Sequence, residues 1–360
     1  MKSAFRDYRV AMLGAESLLG REILTVLKER NFPVSQVIRL NAEGSQPEIP
    51  IVDFEEEPLP LVEGEGFTEV ECDFIFLAAC SESADGRHTH SETPGAGAEF
   101  LAAVSGTRGW VIDASHAASH AARNPLLSIP YLDPGQDVLA KAAAGGERFF
   151  IAPHAAVIAI SHLLLRLASN FEIERAIAQI FSSVSELGPE AIEELQKQTT
   201  SLLSFQPTPQ DFFGAPIAFN ILPRVSGKGR ASFSRLEERI RAETRQFLAG
   251  RTPIPALRLI QSPIFYSLAF SLYIEMRAQT SVVKIEQALA DERIRMLGKA
   301  QSAPSPIEAQ GSPVVLVDPI TVDDERPGGF WLWGMVDNLR LAAENAVEIA
   351  ETLRQLSFKQ

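Results

Sequence analysis

The residues able to do chemistry crowd toward the start of this chain. All six histidines (His88, His90, His116, His120, His154 and His162) and both cysteines (Cys72 and Cys80) precede residue 163. A reaction needing a thiol or an imidazole must therefore draw on the first half of the sequence. No Cys-x-x-Cys pair and no His-Glu-x-x-His helix is present, so a zinc site is not expected. The pairs Ser115-His116 and Ser161-His162 are neighbours in sequence only, and catalytic triads are assembled in space. The second chemical signal is the run Gly14-Ala15-Glu16-Ser17-Leu18-Leu19-Gly20 directly after the β-type segment Tyr8–Leu13. Glycines at such a turn let backbone N–H groups approach a pyrophosphate at the N-terminus of the following helix. The ligand would be NADP or NAD, although the same turn also occurs as a bare structural connection. Further along, Glu43 is the acidic candidate for a ribose 2′-hydroxyl, where it would repel a 2′-phosphate; the competing reading is a charged loop residue facing water.

The elements around these residues read as α/β. After the glycine turn, Leu18, Leu19, Ile23, Leu24 and Leu27 form one helical face, Asn31-Phe32-Pro33 stops it, and Val37–Leu40 is a second strand. Strand, glycine turn, helix and strand open a doubly wound sheet. Further strands are expected at Phe74–Ala79, Trp110–Asp113 and Phe149–Ala152, with a polar, exposed loop over Ser81–Pro94. Past residue 154 the texture shifts to partly alternating strands, Ala176–Val184, Leu257–Ile260 and Ser271–Met276. Helices are expected at Pro189–Leu203 and Phe233–Leu248. Gly188, Pro189 and Glu190 suit the first of these helix starts. Ala300–Pro313 reads as a surface loop, and Asn338–Leu356 as an amphipathic helix. The expected organisation is an N-terminal Rossmann-like dinucleotide-binding domain over 1–153 and an α/β domain with a mainly antiparallel sheet over 154–336. A helix over 337–360 then packs back on the first domain.

Composition bounds the function. With 46% hydrophobic and 22% charged residues over 360 positions, the chain is long and apolar enough for two packed domains. A net charge of −13 argues against nucleic acid as a partner. Two cysteines cannot make a disulfide framework, which points to the cytoplasm. The longest apolar stretch, Phe149–Leu167, is broken by Pro153, His154, Ser161, His162 and Arg166. It reads as a buried strand followed by a core helix, with no membrane span. No apolar run in the first twenty residues is long enough for a signal peptide.

Several segments, taken in order, resemble the aspartate-semialdehyde dehydrogenase family. They are Gly14-Ala15-x-x-x-x-Gly20, Glu29-Arg30-Asn31-Phe32-Pro33, Val111-Ile112-Asp113 with Ser115, and Val184-Ser185-x-x-Gly188 with Glu193-Glu194-Leu195. Later come Ala218-Phe219-Asn220-Ile221-Leu222-Pro223, Pro263-Ile264-Phe265-Tyr266 and Asp337-Asn338-Leu339-Arg340. Asp211-Phe212-Phe213-Gly214 brings the resemblance closest to the Usg branch, dehydrogenase-like proteins with eroded active sites. The resemblance implies a Cys nucleophile that carries a thioester, a His base and an Arg that binds the substrate carboxylate. The family's Asn-Pro-Asn-Cys turn reads Ala152-Pro153-His154-Ala155 here, leaving Ala155 at the nucleophile position. The family's Val-Arg-Val-Pro-Val-Phe-Tyr-Gly-His-Ser reads Ile260-Gln261-Ser262-Pro263-Ile264-Phe265-Tyr266-Ser267-Leu268-Ala269. Gln261 thus replaces the Arg and Leu268 the His, while Ser182 stands for a glutamine beside the reaction centre. Glu237 and Arg239 remain as a substrate-side remnant, Asn338 as a cofactor-side one, and a homodimer is implied.

Three functions stay open at this level. One is a family member that has lost acyl transfer but keeps its fold, its dimer and an NADP or NAD site. Another is an active oxidoreductase of amino-acid biosynthesis acting on a semialdehyde or acyl phosphate, with its catalytic groups relocated to His154 or Cys80. The third is a non-enzymatic dimer partner of an active paralogue.

Overall fold

The structure, a computed structural model, describes residues 7–40, 61–63, 72–78, 109–115, 125–133 and 138–357. Glu43, Cys80 and the Ser81–Pro94 segment lie outside the described residues. The chain divides into two compact units, Met1–Pro153 with Ala342–Gln360, and His154–Leu341.

In the first unit the strands β1 (Tyr8–Leu13), β2 (Val34–Leu40), β3 (Leu61–Glu63), β4 (Phe74–Leu77), β5 (Trp110–Asp113), β6 (Leu126–Leu127) and β7 (Phe149–Ile151) form one parallel sheet. Its order is β3-β2-β1-β4-β5-β7-β6. The chain winds outward from β1 through β2 and β3 and then returns to β4. The order therefore reverses between β1 and β4, where sheets of this kind open a crevice for ligands. Helix α1 (Leu18–Glu29) follows β1, and α2 (Val138–Ala144) precedes β7. The strands are apolar on both faces because both are covered, as parallel sheets require. Val10, Met12, Phe74, Phe76, Ile112 and Phe150 are fully buried, each phenylalanine worth about 2–3 kcal/mol of apolar burial. They pack with Ile23, Val26 and Leu27 of α1 and with Ala343, Ala346, Val347, Ala350 and Leu353 near the C-terminus.

The second unit begins with α3 (Ala155–Ala168), in which every residue from Ala155 to Leu164 is buried. Next come β8 (Ile173–Ser182), a 3₁₀ turn over Val184–Leu187, α4 (Pro189–Leu203), α5 (Arg230–Leu248), β9 (Ala256–Gln261), β10 (Leu268–Met276) and α6 (Val282–Leu289). The unit continues through β11 (Ile294–Met296), α7 (Pro306–Ala309), β12 (Val315–Val317), β13 (Thr321–Val322) and β14 (Gly329–Val336), and α8 (Asn338–Ser357) follows. The sheet runs β11-β12-β14-β10-β8-β9, with β13 on β14. It is mixed, antiparallel in its centre and parallel only at β11/β12 and β8/β9. One face, with Ile180, Phe270, Leu272 and Leu332, is buried; α3 packs on β8 and β10 and beside α5 and α6. Among the described residues the other face is covered locally, where Ala309 of α7 meets Ala269 and Met335. Beyond that point Ile177 and Trp331 stand exposed at 36% and 42%.

Several boundaries differ from the sequence reading, among them the starts of β2 at Val34, β8 at Ile173 and β10 at Leu268. Val184 belongs to the 3₁₀ turn and not to β8, α5 starts at Arg230 rather than Phe233, and the Ala300–Pro313 loop contains α7. That short helix forms because Ser305 caps it, its hydroxyl accepting from the Glu308 N–H at 3.3 Å. Helix α4 explains two of the resemblance segments. Glu194 accepts from the N–H groups of Phe212 and Phe213 at 2.7 and 3.1 Å, and Gln198 from those of Ile217 and Ala218. These buried side chains hold the Asp211–Gly214 and Ala218–Asn220 runs in place, which is a structural role.

Candidate active site and dinucleotide turn

In the second unit, the first residue of α3 is Ala155, 1% exposed and carrying only a methyl group. Its predecessor His154 caps the helix: Nδ1 accepts the Ala156 N–H at 3.1 Å. A ring nitrogen that accepts carries no proton, so the neutral imidazole bears its hydrogen on Nε2. Nε2 lies 2.5 Å from Glu186 Oε2, and both side chains are buried. The His154 backbone N–H donates to Glu243 Oε2 at 2.7 Å, while Glu243 Oε1 accepts from Arg239 Nε at 2.8 Å. Burial works to raise the Glu186 pKa. The His154 imidazole, a hydrogen bond from Asn338 and the Arg239 charge outweigh it and hold the carboxyl below its ordinary value.

Leu268 and Gln261 are equally closed in. Leu268, the first residue of β10, is fully buried. Gln261 ends β9, and its amide donates to the carbonyls of Ser182 and Ser262, both at 3.1 Å. Asn338 accepts from the Ser267 N–H at 2.9 Å and donates to Ser185 Oγ at 3.3 Å, so its side chain is committed within this unit. Glu237 and Arg239 do not act together. Arg239 turns to Glu243, whereas Glu237 accepts from Arg241 at 2.8 Å and from the Leu259 N–H at 3.3 Å. Beside Glu237 is a cavity of about 290 Å³ lined by Arg224, Ser226, Arg230, Phe233 and Ser234. Among the described residues no three His, Cys, Asp or Glu side chains gather as a metal site.

The glycine turn of the first unit is built tightly. Gly14 sits at φ 76°, a left-handed conformation that glycine adopts without cost. A Cβ on Gly20 would lie 2.1 Å from the Gly14 carbonyl oxygen. Ser17 Oγ accepts the Gly20 N–H at 2.9 Å and donates to the Ala78 carbonyl at 3.1 Å, tying the turn to the end of β4 across the switch point. Leu18 and Leu19 begin α1, where helix geometry leaves N–H groups without intrahelical partners. Glu16 pairs with Arg39 at 2.7 Å. Cys72, the cysteine among the described residues, is no nucleophile: burial pushes its thiol up to about 11, Arg9 lowers it slightly and Asp73 raises it further.

Sequence reasoning missed Glu186, Glu243 and Arg39. The only available signals were the Glu186 position beside Ser185 and the Glu243 spacing four residues after Arg239.

A parallel nucleotide-type sheet and a mixed sheet, with Ala155, Gln261 and Leu268 all in the second unit, set the frame for comparison with known proteins. Residues 164–341 match the family described as semialdehyde dehydrogenase, dimerisation domain. The chain is 25% identical to the aspartate-semialdehyde dehydrogenase of Rickettsia bellii over 97% of its length and 98% of that protein. It is 26% identical to that of Aquifex aeolicus over 96% and 98%. The fold matches aspartate semialdehyde dehydrogenase II from Vibrio cholerae at a TM-score of 0.78 with 24% identity, covering 97% of this chain and 99% of that one. It also matches the Candida albicans enzyme with NADP at 0.64 and 16% identity, covering 98% and 99%. The chain is thus similar to aspartate-semialdehyde dehydrogenases along nearly its whole length. Among the described residues no helix is long and apolar enough to cross a membrane.

Proposed function

We propose that this chain is a cytoplasmic aspartate-semialdehyde dehydrogenase-like protein that no longer performs acyl transfer, while its first unit still binds NADP or NAD. The observation that carries the reading is the double commitment of His154: Nδ1 accepts a backbone N–H and Nε2 faces Glu186. No nitrogen of that ring is left to take a proton from a nucleophile, so His154 does not replace the lost base. Ala155 forms no thioester, Leu268 takes no proton, and Gln261 offers a neutral amide where a carboxylate substrate would need a cation.

The glycine turn supports dinucleotide binding, because Gly14, Gly20 and Ser17 shape a close backbone approach that does not depend on Ala155. When bound, the dinucleotide supplies a hydride acceptor. Gly14 to Gly20 would hold its pyrophosphate, and Cys72 adds no thiolate. The test is oxidation of aspartate semialdehyde with phosphate and NADP, alongside calorimetric titration of each dinucleotide. No turnover with measurable binding is expected; turnover that disappears on His154→Ala would overturn the loss of catalysis.

The second unit forms the homodimer in this reading. Its half-open sheet face, with Ile177, Phe181, Trp331 and Trp333, offers aromatic area that a second copy would cover. Sedimentation should give a dimer, and Ile177→Asp with Trp331→Glu should give monomers; an unchanged dimer would place the contact elsewhere.

A further inference from the structure

We infer that the end of α4 and the loop before α5 form a docking surface for an acidic protein segment that carries apolar side chains. Two phenylalanines point to it, because each stands exposed in a backbone conformation that favours glycine. Phe205 is 96% exposed at φ 54°, and Phe219 is 71% exposed at φ 59°. Phe205 follows the cap of α4. Its N–H donates to the Leu202 carbonyl at 3.2 Å, and the Gln206 N–H donates to the Ser201 carbonyl at 2.8 Å. Glycine is the usual residue at the left-handed position of such a helix-ending turn. Phe219 is the third residue of the turn Ile217–Asn220, closed by the Asn220 N–H on the Ile217 carbonyl at 2.9 Å. A positive φ at that place again selects glycine or asparagine. A phenylalanine held this way costs backbone strain, which burial of its ring within the chain would ordinarily offset. Both rings face water here, so the offset has to come from another molecule. Leu203 and Ile221, 69% and 56% exposed, extend the apolar surface.

Charge selects the partner. From Phe212 to Leu236 the chain has no aspartate or glutamate but has Arg224, Lys228, Arg230 and Arg235, in a protein of net charge −13. All four are exposed, and among the described residues none of them pairs with a carboxylate. The backbone beneath is fixed before any partner arrives. Gln198 of α4 seats the turn that carries Phe219 by accepting from the N–H groups of Ile217 and Ala218. The carbonyls of Asp211, Phe212 and Phe213 accept from the N–H groups of Lys228, Gly229 and Ser226 at 2.9, 2.9 and 3.0 Å. Aromatic anchors beside arginines on a rigid backbone have the composition of a protein interface. A nucleic acid or an anionic membrane extends past the patch and meets the excess of carboxylates elsewhere on the molecule. A short acidic segment meets the basic loop alone, within a Debye length of about 8 Å. The surface uses none of the residues proposed above for the homodimer.

The test titrates the full chain with two short synthetic peptides, followed by fluorescence anisotropy. One alternates glutamate with leucine and phenylalanine, and the other has lysine in place of every glutamate. The glutamate peptide should bind, more weakly as salt is raised, and the lysine peptide should not. Phe205→Gly and Phe219→Gly should each weaken the glutamate peptide by about tenfold or more. Both should also raise the thermal unfolding midpoint, because glycine relieves the strain. Arg224→Glu combined with Arg230→Glu should weaken the glutamate peptide and admit the lysine one. Binding of neither peptide, equal binding of both, or binding that none of these variants changes would overturn the assignment. A lowered midpoint in both glycine variants would overturn it too, since the rings would then be packed within the chain. Co-sedimentation with phosphatidylglycerol vesicles that Phe219→Gly abolishes would give the surface to lipid instead. Loss of self-association on Phe219→Gly would make a second copy the occupant, and either result removes the acidic segment.

Discussion

Ser267 occupies a backbone conformation, φ 75°, that favours glycine, and it stands where the related family motif carries glycine before its histidine. Its N–H is held by Asn338 at 2.9 Å, and its hydroxyl reaches the Pro306 carbonyl at 3.4 Å, so the surroundings impose the conformation. Relieving it should help: Ser267→Gly is expected to raise the unfolding free energy by about 1 kcal/mol in urea titration. The nucleophile position makes a contrasting prediction. Ala155→Cys alone should leave semialdehyde oxidation absent, because Leu268 accepts no proton; appreciable NADPH formation by that single variant would show the missing thiol to be the only barrier. Ala155, Gln261 and Leu268 stand out in the sequence because each interrupts a run that otherwise resembles a family motif. The residues that close the site were not legible there. Glu186 and Glu243 meet His154 across 32 and 89 positions of sequence, and such partners are chosen by tertiary packing, which no local pattern encodes.

The start of α1 was legible as an element because glycine spacing and apolar periodicity agree there. Gly20→Ala places a methyl group against a backbone oxygen that cannot move aside. It should cost about 2–4 kcal/mol and lower dinucleotide affinity, read by thermal unfolding and titration. Helix α4 has the bounds that Gly188, Pro189 and Glu190 suggest. Helix α5 begins three residues before the expected Phe233 because Gly229 caps it without a side-chain bond, leaving no cap residue to read. The Ser305-Pro306-Ile307-Glu308 run is a capping pattern, but the Ser, Pro and Ala around it suggested only loop. Helix α3 carries a pH dependence. Burial, partly offset by Asp291 and reinforced by Arg166 and Arg293, lowers the His162 pKa from 6.5 to about 4. Below pH 6.5 the unfolded chain takes up a proton that the folded chain refuses, so stability falls with pH until about pH 4. The total is about 3 kcal/mol. Glu186 has the opposite charge but the same direction: its depressed pKa stabilises the fold above the ordinary carboxylate value, a contribution lost as pH falls through the lower folded one. His162→Gln should flatten the profile between pH 6.5 and 4 and leave the more acidic limb, in acid titrations followed by circular dichroism.

At the scale of the whole molecule, two sheets of different construction share one chain, and the division falls at Pro153 and again at Leu341. The parallel sheet was readable from its opening turn. The half-open face of the mixed sheet was not, because alternation along β8 reports which residues face away from the helices and not what lies against them. The first unit owes part of its core to the last stretch of the chain. Ala343, Ala346, Val347, Ala350 and Leu353 pack with Val10, Met12 and Ile23, and Arg30 bridges Glu344 and Glu351. On the ribosome, where synthesis adds about 5–20 residues per second, on the order of 10–40 s separate Pro153 from Ala342. During that interval the nascent parallel sheet presents an uncovered apolar face, while His154–Leu341 is continuous and can close on itself first. The segment made first therefore matures last, and a chaperone that shields apolar sheet surface would find its substrate in residues 7–153 until Ala343–Leu353 has been made.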